Sequence, residues 1–123
     1  MTGNKDLFIL KGNPKSTQHC YQFTCRGKFP TMYMTAEGKS IKEAYKWELK
    51  SQKAKMYQGE LVVKIGLYFN DKRKRDVDNF NKLILDAGTG ILWEDDSQIR
   101  ILTISKYCDK GNPRVELEII PLK

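Results

Sequence analysis

The chain has 123 residues, 40% hydrophobic and 11% aromatic, which suits a single domain over 1–123 with its own core and argues against disorder. The formal charge of +7 is unevenly spread: residues 1–85 hold 17 Lys/Arg against 8 Asp/Glu, and residues 86–123 hold 5 against 7. No apolar run is long enough to span a bilayer, Met1–Asp6 lacks a signal-peptide core, and the clustered cations fit a polyanion, nucleic acid first, so a soluble cytoplasmic protein is expected.

In chain order, Leu7–Leu10 is a short apolar run that reads as an opening strand. Lys11–Thr17 contains Gly12, Asn13 and Pro14 and reads as a loop whose two lysines can reach phosphate. Tyr21–Thr24 is β-prone, Arg26-Gly27-Lys28 is a turn, and Phe29–Met34 is extended, with Pro30 marking an edge. Thr35 can cap a helix over about 36–54, with Ile41, Tyr45, Leu49, Gln52 and Met56 near one face. After Gly59, Leu61, Val63, Ile65, Leu67 and Phe69 alternate with less apolar residues, the strongest strand signal in the chain.

That strand runs into Lys72-Arg73-Lys74-Arg75 and then Asp76-Val77-Asp78-Asn79. Asp78 is placed to cap a second helix, on which Phe80, Leu83, Ile84 and Ala87 share one face while Asn79, Lys82 and Asp86 share another. Leu85 faces away from both stripes. Gly88 and Gly90 end the helix, and Ile91-Leu92-Trp93 returns the chain to the core. Gln98–Tyr107 and Val115–Ile119 are β-rich runs about the turn Gly111-Asn112-Pro113, expected to pair as a hairpin. The order predicts an α/β fold of the mixed α+β kind: two main helices against one mixed sheet of about four to six strands.

Four cations beside two carboxylates make sense where phosphate and a divalent ion meet. Hydrolysis of a phosphodiester needs an activated water, stabilised charge on the phosphoryl oxygens and an assisted leaving oxygen, all of which divalent ions supply. Mg²⁺ takes hard oxygen ligands and keeps several waters, so a few carboxylates suffice. Asp76 and Asp78 project to one side if their segment is extended, and one of the neighbours Asp95 and Asp96 can close the site from the loop after Trp93. Lys82, four residues after Asp78, can pair with a ligand carboxylate, contact the scissile phosphate, orient the attacking water or stabilise the leaving group. Asp86 can orient Lys82 or bind a second ion. Lys72, Arg73, Lys74 and Arg75 can hold neighbouring phosphates, which positions DNA without reading its sequence. Taken singly, each residue has a plainer role as ion pair, cap or polar turn; together they favour a metal-phosphate site. His19 has no Ser or Cys triad around it, and no Gly-rich phosphate loop is present. His19, Cys20, Cys25 and Cys108 match no familiar zinc spacing, so buried or idle thiols are the expectation.

Lys72–Asn79, then Lys82, Asp86 and Trp93-Glu94-Asp95-Asp96-Ser97-Gln98-Ile99, resemble the RusA-type Holliday junction resolvases, typically phage or prophage enzymes. The strong match covers residues 60–120, and Tyr33–Lys39 is similar to the segment that opens the family's first helix. The resemblance implies a homodimeric, Mg²⁺-dependent endonuclease, with Mn²⁺ able to substitute, that cuts four-way DNA junctions symmetrically in recombination and repair. It puts the metal carboxylates on Asp76, Asp78 and Asp96 and the essential lysine on Lys82. Asp95 matches the companion acid, Asp86 the helix acid, and Arg75 and Asn79 positions beside the site. It implies no small-molecule cofactor and no membrane partner, and action in the cytoplasm of a bacterial or phage-infected cell. His19-Cys20-Tyr21-Gln22 departs from the family's opening loop. Leu85, Leu92 and the last strand are candidates for the dimer contact. The competing readings are a nuclease for flaps or forks, with the same site on a different binding surface, and a basic DNA-binding module whose acids serve structure alone.

Overall fold

The computed structural model describes residues 6–27 and 29–122. The elements run β1 (Asp6–Lys11), α1 (Thr17–Cys20), β2 (Tyr21–Arg26), β3 (Phe29–Met34), α2 (Ala36–Ser51), β4 (Leu61–Phe69), a 3-10 turn at Val77–Asn79, α3 (Asn81–Gly88), a second 3-10 turn at Asp96–Gln98, β5 (Ile99–Cys108) and β6 (Arg114–Pro121). β1, β6, β4 and β5 form, in that order, one mixed four-stranded sheet, and β2 and β3 form a separate antiparallel ribbon. The mixed α+β reading with two main helices therefore holds, with the strands divided four and two. Among the described residues, no helix is long and apolar enough to cross a membrane.

The alternation in β4 explains its central place. Leu61, Val63, Ile65, Leu67 and Phe69 are all buried, and they meet Phe8 and Leu10 of β1 and Val115, Leu117 and Ile119 of β6 on the same side of the sheet. Against this face pack Tyr45 and Leu49 of α2 and Leu83, Ile84 and Ala87 of α3. Ile41 is partly buried as its spacing implied, but Met56 lies beyond the helix and is exposed. The helix stops at Ser51, short of the expected end near residue 54. Lys53 turns into the left-handed region (φ 61°), and the N–H of Ala54 closes back on the Leu49 carbonyl. Gln52 faces β1, where its amide accepts from Ile9 N (2.8 Å) and donates to Ile9 O (2.7 Å), while Glu48 accepts from Lys11 N (3.0 Å). Side chains of α2 and its C-cap thus satisfy the outer edge of β1.

The expected hairpin between the last two strands does not form. β4 lies between them, parallel to β5 and antiparallel to β6. The link from Cys108 to Arg114 steps over the end of β4, pinned by Asp109 N donating to Phe69 O (2.7 Å) and Gly12 N to Pro113 O (3.1 Å). The strand with the most apolar inner face takes two neighbours and displaces the short-range pairing. Leu92 is fully buried within the chain, which removes it as a dimer-contact candidate, and Leu85 is partly buried against the core.

Thr35 caps α2 as expected, its hydroxyl accepting from Gly38 N (3.0 Å). Gly38 lies against α1 so closely that a Cβ there would collide with the Cys20 carbonyl oxygen and Cα. Backbone cannot yield as a side-chain tip can. Gly38→Ala is expected to destabilise the protein by about 1–3 kcal/mol through overpacking, read as a lower denaturant midpoint at unchanged m-value.

Candidate active site

The segment leaving β4 is built around Arg75. Its guanidinium pairs with Asp71 (2.7 Å), lies 4.1 Å from the Phe69 ring centroid and donates to the Arg73 carbonyl (3.2 Å). Lys106 of β5 donates to the Arg75 carbonyl (2.6 Å). The Arg75 hydrogen bond, ahead of the Arg73 backbone N–H, holds the Asp71 carboxyl below the usual carboxylate range. Arg75 thus anchors the loop, while Lys72, Arg73 and Lys74 stay exposed along it. Residues 71–75, with Lys106 and Tyr107, line a concavity of about 330 Å³. Lys15 of the loop after β1 joins Arg73 and Arg75 around a second, of about 550 Å³. That loop is fastened by Asn70 N donating to Asn13 Oδ1 (3.1 Å).

The chain is extended at Asp76 (φ −87°, ψ 126°) and then tightens into the Val77–Asn79 turn. The two aspartates therefore do not share one extended face. Asp76 lines a concavity of about 370 Å³ with Lys74, Arg75 and Asn79. Asp78 lines the neighbouring cleft of about 400 Å³ with Asn79, Lys82, Asp86 and Asp96. Asp78 is not the helix cap either: α3 begins at Asn81 behind Phe80, which makes no side-chain cap, and the exposed Asp78 carboxylate is left to the cleft. The intervening 3-10 turn separates Asp78 from the helix start. Phe80 is drawn inward, edge-on to Phe69 at 5.1 Å.

α3 presents its polar stripe to the same cleft. Lys82 Nζ is 3.8 Å from Asp86 Oδ2 and 5.1 Å from the centroid of the Tyr21 ring. The Tyr21 hydroxyl donates to that same Asp86 oxygen. Burial first, and then the Asp86 bond, raises the Tyr21 phenol above its ordinary value, so it stays protonated and donates throughout the neutral range.

The opposite wall is fixed by Trp93 and Gln98. Trp93 is fully buried and donates from Nε1 to Thr89 Oγ1 (3.0 Å). Gln98 accepts from Glu94 N (2.9 Å) and Asp95 N (3.2 Å) and donates to the carbonyls of Tyr57 and Gly59. Asp95 completes this capping box by accepting from Ser97 N (3.0 Å), the main cause of its lowered pKa. Asp95 is therefore occupied with the backbone, and its neighbour Asp96 lines the cleft.

Among the described residues, no three His, Cys, Asp or Glu side chains converge as a ready metal-binding group. What the cleft offers is carboxylate oxygen from Asp78, Asp86 and Asp96, with Asp76 next door. This hard donor set fits Mg²⁺, which binds through one or two carboxylates together with waters and substrate phosphate. Cys20 is buried, and burial pushes its thiol up; Cys108 is exposed at the end of β5; the side chains of His19 and Cys25 lie outside the described residues.

Sequence reasoning missed Tyr21, Thr17, Lys15 and Lys106 as neighbours of the site. They come from elements distant in sequence, and only the cationic loop 11–17 gave any signal. Thr17 Oγ1 donates to the Asn79 carbonyl (2.8 Å), tying α1 to the Asp78 turn. Thr17→Val keeps the shape and removes that bond. A loss of about 1 kcal/mol in chemical denaturation is expected, with faster amide exchange in residues 77–80.

A family model described as Endodeoxyribonuclease RusA matches residues 11–120. No curated protein matches the chain.

Proposed function

The chain belongs to the RusA endodeoxyribonuclease family, and from that membership we propose that it resolves four-way DNA junctions by paired, Mg²⁺-dependent phosphodiester hydrolysis, with Mn²⁺ able to substitute. The observation that carries this reading is the cleft in which Asp78, Asp96 and Lys82 meet beside an exposed cationic loop. In this reading Asp78 and Asp96 are the residues that would hold the ion, with Asp76 in the adjoining concavity as a further carboxylate. A bound Mg²⁺ supplies an acidified water and a counter-charge for the phosphoryl oxygens.

The remaining work falls to the protein. The Lys82 ammonium meets the charge that grows on the phosphate or on the leaving oxygen. Asn79, on the rim shared by both concavities, contacts the DNA backbone near the cut. Lys72, Arg73 and Lys74 grip flanking phosphates, while Arg75 shapes the loop that presents them and turns its remaining surface to the substrate. Two cuts related by symmetry need two sites at a fixed separation, which a two-fold homodimer provides. Branched DNA in the cytoplasm of a bacterial or phage-infected cell is then the substrate, in recombination or repair.

The test compares end-labelled four-way junction, flap and linear duplex, with Mg²⁺ or with chelator. Symmetric nicks in the junction alone, lost on chelation, are expected; preferential cutting of flaps would move the assignment to other branched DNA, and binding without cleavage under every metal condition would overturn an enzymatic role. Asp78→Asn should lower the cleavage rate by at least about a hundredfold, with junction affinity kept or improved, since a carboxylate facing phosphate is neutralised.

Replacing Lys72, Arg73 and Lys74 by Gln should weaken junction binding and reduce the slope of log K against log salt by roughly 2–3. An unchanged slope in a salt titration would take these three residues out of the DNA contact.

A further inference from the structure

Lys82 sits on a long, flexible stem, so a catalytic role demands that something fix its ammonium. Two groups do so from outside α3's own core face. Asp86, one turn along the helix, is 3.8 Å away through Oδ2, and the Tyr21 ring lies 5.1 Å from Nζ at its centroid. The Tyr21 hydroxyl donates to Asp86 Oδ2, the oxygen nearest the lysine. One tyrosine therefore touches both: its π-face attracts the cation, and its O–H fixes the carboxylate that pairs with it.

Tyr21 is itself firmly held. It is 8% exposed and sits where α1 passes into β2. Beside it, Thr35 N donates to the Cys20 carbonyl (2.9 Å), and Tyr21 is paired across the ribbon with Met34. On its other flank, Thr17 reaches the Asn79 carbonyl. The tyrosine is thus braced against both α2 and the turn bearing Asp78.

We propose that Tyr21 is a positioning residue for catalysis, which sets Lys82 in the cleft by stacking beneath its ammonium and by anchoring Asp86. The same geometry assigns Asp86 to holding the lysine rather than to binding a second ion, because its Oδ2 is already engaged by both Tyr21 and Lys82. The proposal rests on the reading of this cleft as the phosphodiesterase centre.

The test uses the full chain with four-way junction, Mg²⁺ and enzyme in excess, so that the single-turnover rate is separated from affinity. Tyr21→Phe, which keeps the ring and loses the O–H, should cut about tenfold more slowly. Tyr21→Leu, which loses the ring as well, should cut about a hundredfold more slowly. Junction Kd should stay within about twofold in both. Because Tyr21→Phe and Asp86→Asn break one linkage, the double variant should be no slower than Asp86→Asn alone. In metal-free protein, the Lys82 ε-methylene protons should show an upfield ring-current shift that survives in Tyr21→Phe and disappears in Tyr21→Leu. Wild-type rates in both tyrosine variants, losses that multiply in the double variant, or affinity falling in step with rate in Tyr21→Phe would each overturn the proposal. Asp78→Asn serves as the control for the underlying reading: if it cuts at the wild-type rate, the cleft is not the catalytic centre, whereas an inactive Asp78→Asn beside fully active Tyr21 variants rejects the tyrosine's role alone.

Discussion

The contact on which the site depends is that of the Trp93 indole with Gly88. A Cβ on Gly88 would lie 2.7 Å from Trp93 Cη2, so only a bare Cα admits the ring at this depth. The indole fills the end of the core, and its N–H is satisfied by Thr89, the residue that follows α3. Backbone bonds complete the closure: Leu92 N donates to Gly88 O (2.8 Å) and Gly90 N to Trp93 O (2.7 Å). This knot fixes where the chain emerges after Trp93, and hence where Asp96 stands relative to Lys82. The cleft has two walls at a set distance because one large side chain and one missing side chain interlock behind it.

Residues of like charge take unlike parts around the cleft, and backbone geometry sorts them. Asp95 and Asp96 are chemically equivalent neighbours, yet the 3-10 turn aims one at Ser97 N and the other at the cleft. Within the cationic run, Arg75 is taken up by Asp71 and Phe69, whereas Lys72, Arg73 and Lys74 keep their exposure. Composition cannot make these distinctions, because both members of each pair carry the same charge.

The sequence was most readable where pattern and burial follow one period. The alternation of Leu61–Phe69 and the stripe of Phe80, Leu83, Ile84 and Ala87 named the inner faces of β4 and α3 correctly, since a pleat and a helix leave little choice once one side must be buried. Thr35 was a legible cap for the same reason of local geometry. Legibility failed where distant segments compete. Gly111-Asn112-Pro113 resembles a hairpin turn, but β4 outbids the local partner, and nothing near residue 111 records that a strand ending as far back as Phe69 will intervene. Asp78 carries the chemistry of a cap, but the turn at 77–79 moves the helix start to Asn81. Tyr21 could not be connected with Lys82 and Asp86 at all, because no local period links residues some sixty positions apart.

The strand order also bears on when such a protein can become competent. β1 pairs with β6, joining Leu7 to Glu118, and β4 finds its partners only in β5 and β6. Apart from the β2–β3 ribbon, the strand pairings among the described residues wait for chain that is synthesised much later. Such high contact order slows folding and makes it collective, since loop-closure entropy must be met before any long-range pairing is rewarded. Until β6 has emerged, the sheet under α3 has no interior strand arrangement to hold the cleft. During translation the cationic loop therefore emerges before the carboxylate cleft is assembled, so the positive charge of this chain is on display earlier than the acidic cleft beside it.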